Sequence, residues 1–409
     1  MKFVLSSFVI LLIISCQVKK LPTHHNFPSP VDTQDRAILL QEKKVYQIDG
    51  IQLSNQFDGA RANDFTKIND STYRVTILPE NEPINESPHY AFWIKSEETR
   101  DINLELYTGA YKHRYWPKLS KSDKPYLPID SMYFDTLKAG NVANLKLALD
   151  RDQLYVAAQE LRPSSHTKSW ISDLQKIYPH IKTATVGLSK LKRDIDYIEL
   201  GEGSKEKKPA ILIFSRTHPP EISGYMAMEA FVEEILKDNN LAKAFRQRFR
   251  ILVYPLINPD GVDLGHWRHN AGGIDLNRDW GKFRQVEPHV VASHILKETR
   301  ANKNEVLLGI DFHSTQEDVI YTHTSNRVSK IFPFKDLWLQ ALIDEGYRPN
   351  EEAYDLSSPM TKGWFYLEFD AEAIIYEVGD ETDRTYLKEK SAFAAREMMK
   401  LLVLRPINN

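Results

Sequence analysis

The chain has 409 residues, enough for two or three domains, and 42% hydrophobic with 27% charged residues suits a globular protein with buried cores. Its 53 basic and 56 acidic residues leave a net charge of -3, which argues against nucleic acid as a partner, because such partners favour a strongly basic face.

Lys2 is followed by an apolar run over residues 3–14, broken only by Ser6 and Ser7, and then by Ser15 and Cys16. A positive start, a short apolar core and a small residue at the end describe a secretory signal, too short for a stable membrane span. A plain N-terminal anchor is the alternative. Ile13-Ile14-Ser15-Cys16 resembles the bacterial lipobox. That resemblance implies a lipoprotein signal peptide over residues 1–15, cleaved before Cys16, whose new N-terminus is acylated. Cys16 is the only cysteine, so an intramolecular disulfide is excluded and lipidation accounts for a leftover thiol. Each buried acyl methylene contributes roughly 0.8 kcal/mol. The expected partner is the lipid bilayer, and the expected place is the bacterial cell envelope, in the outer membrane and facing the periplasm.

Residues 16–34 are polar, with three prolines and the pair His24-His25, and read as a tether. The two histidines could bind metal, but a solvated linker is the simpler reading. Residues 35–160 follow with period two. Tyr73, Val75 and Ile77 alternate with polar residues, as do Ile102, Leu104 and Leu106, then Leu145, Leu147 and Leu149. Turn formers such as Asn69-Asp70-Ser71 and Pro79-Glu80-Asn81 separate the runs. The pattern predicts an all-β sandwich. The basic, aromatic stretch from Lys112 to Lys118 is either a ligand surface or a plug at a domain interface.

Residues 161–409 have a different grammar. Short apolar runs at 210–215, 251–257, 306–310 and 373–376 read as strands buried on both faces. Helical periods at 221–236, 334–343 and 391–404 lie between and after them. Alternation of the two predicts an α/β domain with a largely parallel or mixed sheet flanked by helices.

His218-Pro219-Pro220-Glu221 follows the first of these strands, at the entrance to a helix. Such a pair can face one metal ion, and two His with one Glu form a zinc set that leaves a position open for water. His313, in Asp311-Phe312-His313-Ser314 at the end of another buried strand, supplies the third ligand. Further strings are Asn258-Pro259-Asp260-Gly261-Val262, Trp267-Arg268-His269-Asn270 and Asp275-Leu276-Asn277-Arg278. Taken with His218, Glu221 and His313, they resemble the zinc carboxypeptidases over roughly residues 165–404. The preceding sandwich, with Pro79-Glu80-Asn81 and Tyr90-Ala91-Phe92, resembles the cytosolic carboxypeptidase subfamily.

The resemblance implies a carboxypeptidase A-like catalytic domain with one Zn2+ per chain. It implies that Asp275 orients His218, that Asn277 and Arg278 hold the substrate's terminal carboxylate, and that Arg268 polarises the scissile carbonyl. Trp364 and Glu377 stand at the family's spacing, so Glu377 would be the general base toward zinc-activated water. A carboxylate closing an apolar strand is costly without a task or a partner, and Asp380, Glu381 and Arg384 are close enough in sequence to offer structural pairs. Tyr354 falls one residue from the family's mobile tyrosine. Lys362 falls at the position that sets the terminal-residue pocket.

The expected activity is removal of a C-terminal residue from peptides, with acidic terminal residues favoured by the Lys362 ammonium. Lys362 facing solvent, or pairing with Glu368 or Glu372, is the competing reading. The alternatives in function are a hydrolase of peptidoglycan stem peptides and a lipid-anchored binding protein that has lost catalysis. Survival of every ligand, the base and the arginines speaks against the last.

Overall fold

A computed structural model of the chain describes residues 22–28, 37–121, 124–137, 139–324 and 327–404. Cys16 and residues 1–15 lie outside the described residues. Among the described residues no helix is long and apolar enough to cross a membrane.

Eleven strands come first: β1 (Val45–Ile48), β2 (Ile51–Ser54), β3 (Asp64–Lys67), β4 (Thr72–Thr76), β5 (Ala91–Ser96), β6 (Arg100–Tyr107), β7 (Lys118–Lys121), β8 (Leu127–Pro128), β9 (Phe134–Thr136), β10 (Val142–Leu149) and β11 (Leu154–Ala157). They form two sheets, ordered β1-β2-β5-β11-β7-β8 and β3-β4-β6-β10-β9. All neighbours are antiparallel except β4 on β6, which is parallel. The period-two residues Tyr73, Val75, Ile102, Leu104, Leu106, Leu145, Leu147 and Leu149 are buried in one core between the sheets.

The second part contains α1 (Ser164–Ile177), β12 (Lys182–Leu188), β13 (Asp194–Glu199), β14 (Ala210–Ser215), α2 (Ile222–Leu236), α3 (Asn240–Arg248), β15 (Arg250–Tyr254), α4 (Pro259–Leu264) and α5 (Val286–Ala301). It continues with β16 (Val306–Thr315), β17 (Val319–Thr322), α6 (Phe334–Asp344), β18 (Glu351–Ala353), α7 (Thr361–Phe369), β19 (Glu372–Gly379) and α8 (Arg384–Leu404). Its eight-stranded sheet runs β12-β13-β15-β14-β16-β19-β17-β18. The four central strands are mutually parallel, and antiparallel pairs lie toward both edges. Residues of α1, α2, α3, α6 and α8 cover one face, and those of α5 and α7 the other. This is the mixed sheet flanked by helices, preceded by a β-sandwich, that the patterning predicts.

Local chemistry sets the elements that carry the strings singled out above. Asn258 caps α4, its side chain accepting from Gly261 N–H at 2.9 Å, and Pro259 opens the helix where no donor is needed. Gly224 permits α2 to abut β16, because a Cβ there would come within 2.2 Å of the His313 carbonyl oxygen.

One reading of the sequence meets something different, and one that the sequence leaves open is decided in favour of a plug at the domain interface. Residues 22–28 are not a solvated linker throughout. Phe27 is buried against Gly281 and Gly363, and the His25 ring bonds Glu368 at 3.0 Å, while His24 is exposed. The Lys112 to Lys118 stretch lies between the two parts of the chain. Arg114 donates to Asp380 at 2.7 Å, Lys118 to Glu381 at 2.9 Å, and Tyr115 fills the sandwich core.

Candidate active site

The site lies at the C-terminal ends of β14, β16 and β19, where open α/β sheets gather their functional groups. His218 follows β14, and Glu221 directly precedes α2. His313 lies within β16, and Glu377 is its register partner on the adjacent β19.

Glu221 stands between the two histidines. Its Oε1 is 2.8 Å from His218 Nδ1 and its Oε2 is 2.7 Å from His313 Nδ1. The three ligand atoms lie within 4.8 Å of one another, and all three residues are buried. The outer ring nitrogens are held from behind, His218 Nε2 by Asp275 Oδ1 at 2.9 Å and His313 Nε2 by Asp311 Oδ2 at 2.8 Å. Both Nδ1 atoms therefore point at one place, with a carboxylate behind each ring to fix its orientation. Burial works against charging His313, yet Asp311 and Glu221 outweigh it and hold its pKa well above the usual value. Two imidazoles and one carboxylate, converging in a buried place that stabilises positive charge, fit Zn2+.

Asp275 joins three residues. Its Oδ1 bonds His218 and accepts from Asn277 N–H at 2.8 Å, and its Oδ2 accepts from Arg268 Nε at 2.8 Å. Burial disfavours its charge, but Arg268 and His218 hold its pKa well below the carboxylate range. The Asn277 amide lies 3.3 Å from His313 Nε2 and accepts from Thr361 N–H at 3.0 Å. Arg278 donates to the Asn277 carbonyl at 2.8 Å and is partly exposed.

Glu377 has a buried oxygen, Oε2, without a hydrogen-bond partner. Burial pushes its pKa up to about 7, and the nearby Glu221 charge adds to this. Arg384 instead pairs with Glu160 at 2.8 Å, and Asp380 with Arg114. Lys362 is 1% exposed, yet its ammonium meets neither Glu368 nor Glu372. It donates to the Thr322 carbonyl at 2.6 Å and to the Tyr354 carbonyl at 2.9 Å. Burial lowers its pKa to about 7. Tyr354 follows β18, with its ring 5.4 Å from that of Tyr321 and its hydroxyl 3.7 Å from Met360 Sδ.

Sequence reasoning passed over three contributors. Asp311 stands two residues before His313, on the same side of one strand, so period two was the available signal. Glu80 and Arg114 come from the sandwich. Glu80 accepts from the main chain at Arg268, and Arg114 donates to the Ser314 carbonyl at 3.1 Å. Both fall in strings that stand out in the sequence, but their distance along the chain hides their link to the site.

Residues 167–394 match the family model described as zinc carboxypeptidase. Cytosolic carboxypeptidase 2 of Xenopus tropicalis is 35% identical over 108 residues, 26% of this chain and 11% of that protein. Cytosolic carboxypeptidase 6 of Mus musculus is 23% identical over 287 residues, 63% of this chain and 52% of that protein. The chain thus spans about half, or much less, of the length of these relatives. Among solved structures, a metallo-carboxypeptidase from Burkholderia cenocepacia superposes with a TM-score of 0.70 at 17% identity, over 87% of this chain and 98% of that one. A metallo-carboxypeptidase from Pseudomonas aeruginosa, in complex with (2-guanidinoethylmercapto)succinic acid, gives 0.70 at 16% identity over 87% and 100%. At such identities these two likenesses speak for the fold, sandwich included.

Proposed function

Since the chain belongs to the zinc carboxypeptidase family, we propose that it hydrolyses the C-terminal peptide bond of peptides, with one zinc ion held by His218, Glu221 and His313. The observation that carries this reading is the pairing of that ligand set with the unpartnered Glu377 oxygen on the neighbouring strand. When bound, zinc supplies the Lewis acidity that activates water and polarises the carbonyl.

The protein's own groups do the rest. Glu377, its pKa raised by burial, takes the proton from the attacking water and delivers it to the leaving amine. Arg268 stabilises the negative charge that develops on the carbonyl oxygen. Asp275 holds His218 and Arg268 in place through separate oxygens. Asn277 and Arg278 grip the terminal carboxylate, for which the partly exposed guanidinium is suited. Tyr354 covers the bound residue. Lys362 favours an acidic terminal side chain, because a buried ammonium without a carboxylate gains most from a substrate that brings one.

The same reading extends to cell location. Acylated Cys16 tethers the enzyme to the outer membrane of a bacterial envelope, facing the periplasm. The test of the activity compares N-blocked peptides with free and amidated C-termini. Release of the last residue from the free acids alone supports a carboxypeptidase. Equal cleavage of the amides would remove the role given to Asn277 and Arg278.

A further inference from the structure

We propose that the β-sandwich is part of the active site, because its Glu80 holds the main chain of residues 267–269 in the conformation that presents Arg268. The proposal rests on the role given above to Arg268, and it makes Glu80 a positioning residue. Glu80 is fully buried and accepts three consecutive main-chain N–H groups, from Trp267 at 2.8 Å, Arg268 at 3.0 Å and His269 at 2.6 Å. One carboxylate thereby fixes three successive peptide groups. Such charge-assisted bonds are about twice as strong as neutral ones.

The neighbouring contacts tie the same loop to the sandwich. The Trp267 side chain belongs to the sandwich core, edge-on to Tyr111, and Ser87 Oγ donates to its carbonyl at 3.0 Å. Asn81 bonds the His269 ring at 2.5 Å and the Gly273 carbonyl at 2.9 Å. Gly265 has a φ of +67° and lies against Ala60, so close that a Cβ would be 2.6 Å from the Ala60 oxygen. From this loop Arg268 extends to Asp275, and Asp275 to His218. A continuous run of contacts therefore joins Glu80 to a metal ligand. If Glu80 served only to hold the two parts of the chain together, its loss would lower stability and leave the turnover of folded enzyme unchanged.

A double-mutant cycle separates the two cases. Glu80→Gln, Arg268→Ala and the double variant are assayed on one peptide, with rates expressed per bound zinc. Val75→Ala, in the sandwich core, serves as a control for stability alone. The expected result is a fall in kcat of at least ~10-fold in Glu80→Gln with little change in KM, and no further fall when Glu80→Gln is added to Arg268→Ala. Val75→Ala should lower Tm and keep kcat. Should Glu80→Gln fail to fold, Asn81→Ala is read by the same cycle. Wild-type kcat in the zinc-loaded variant, or an equal fall in both backgrounds, overturns the proposal while Arg268 keeps its role. Wild-type kcat in Arg268→Ala removes the premise and the proposal with it.

Discussion

The Lys362 ammonium lies 3.5 Å from the centroid of the Tyr354 ring and donates to the Tyr354 carbonyl at 2.9 Å. The residue proposed to set specificity is therefore bonded to the segment proposed to cover the substrate. Lys362 ionises at about 7 because burial disfavours its charge, so it is charged below that pH and neutral above it. The ratio of kcat/KM for Glu-ended over Leu-ended peptides should fall as pH rises from 6 to 9. In Lys362→Met the ratio should be small at every pH. A ratio that is flat with pH in the wild type, or unchanged in the variant, would show that other residues build the pocket.

Asp311 grips His313 from behind and also accepts from Thr361 Oγ1 at 2.6 Å. Asp311→Asn should leave the three ligands in place but weaken zinc binding by roughly 10- to 100-fold. Competition with a chelator measures this. Unaltered affinity would mean that the ring needs no carboxylate to orient it.

Glu377→Gln keeps the shape of the side chain and removes its basicity. Zinc content and Tm should stay near wild type while kcat falls by at least ~100-fold. Turnover within a factor of two of wild type would transfer the base to another group.

Glu80 also makes a prediction about acid stability. Burial alone would raise its pKa, but His266, Arg61, His269 and the main-chain donors outweigh this and hold it at about 2. A carboxyl depressed on folding stabilises fully above its unfolded pKa, near 4.5, and this is lost as pH falls toward 2. With metal removed from both proteins, the stability gap between wild type and Glu80→Gln should therefore narrow by about 2 kcal/mol between pH 7 and pH 3. Urea unfolding at the two pH values checks this, and a gap independent of pH would contradict it.

Acylation of Cys16 predicts that Cys16→Ser releases the protein from the membrane fraction or leaves it uncleaved. Unchanged sedimentation with membranes would favour a plain N-terminal anchor.

Much of the α/β domain can be read from the sequence because its central strands are unbroken apolar runs, as in β14 and β15, where every residue is buried. The edges cannot be read in this way. β12 and β18 are largely exposed, and α1 buries only Thr167, Ile171 and Leu174, too thin a stripe to stand out. The same contrast holds in the site. His218 and Glu221 are three residues apart and announce each other, and His313 follows closely on the apolar run 306–310. Glu80 meets Arg268 from 188 residues away, and Arg114 meets Asp380 from 266. Those contacts arise only when the sandwich docks, and no spacing along the chain encodes them.

Zinc dependence of peptide hydrolysis by this chain is measured by removing the metal and restoring it, with an N-blocked peptide ending in Glu as substrate. The purified protein should carry one zinc per chain and release the terminal residue. It should lose that activity when the metal is chelated and recover it when one equivalent of zinc is returned. His313→Ala should neither retain the metal nor recover. Undiminished hydrolysis by the metal-free protein, or by His313→Ala without zinc, would mean that the chain does not cleave peptides through a zinc ion at this site.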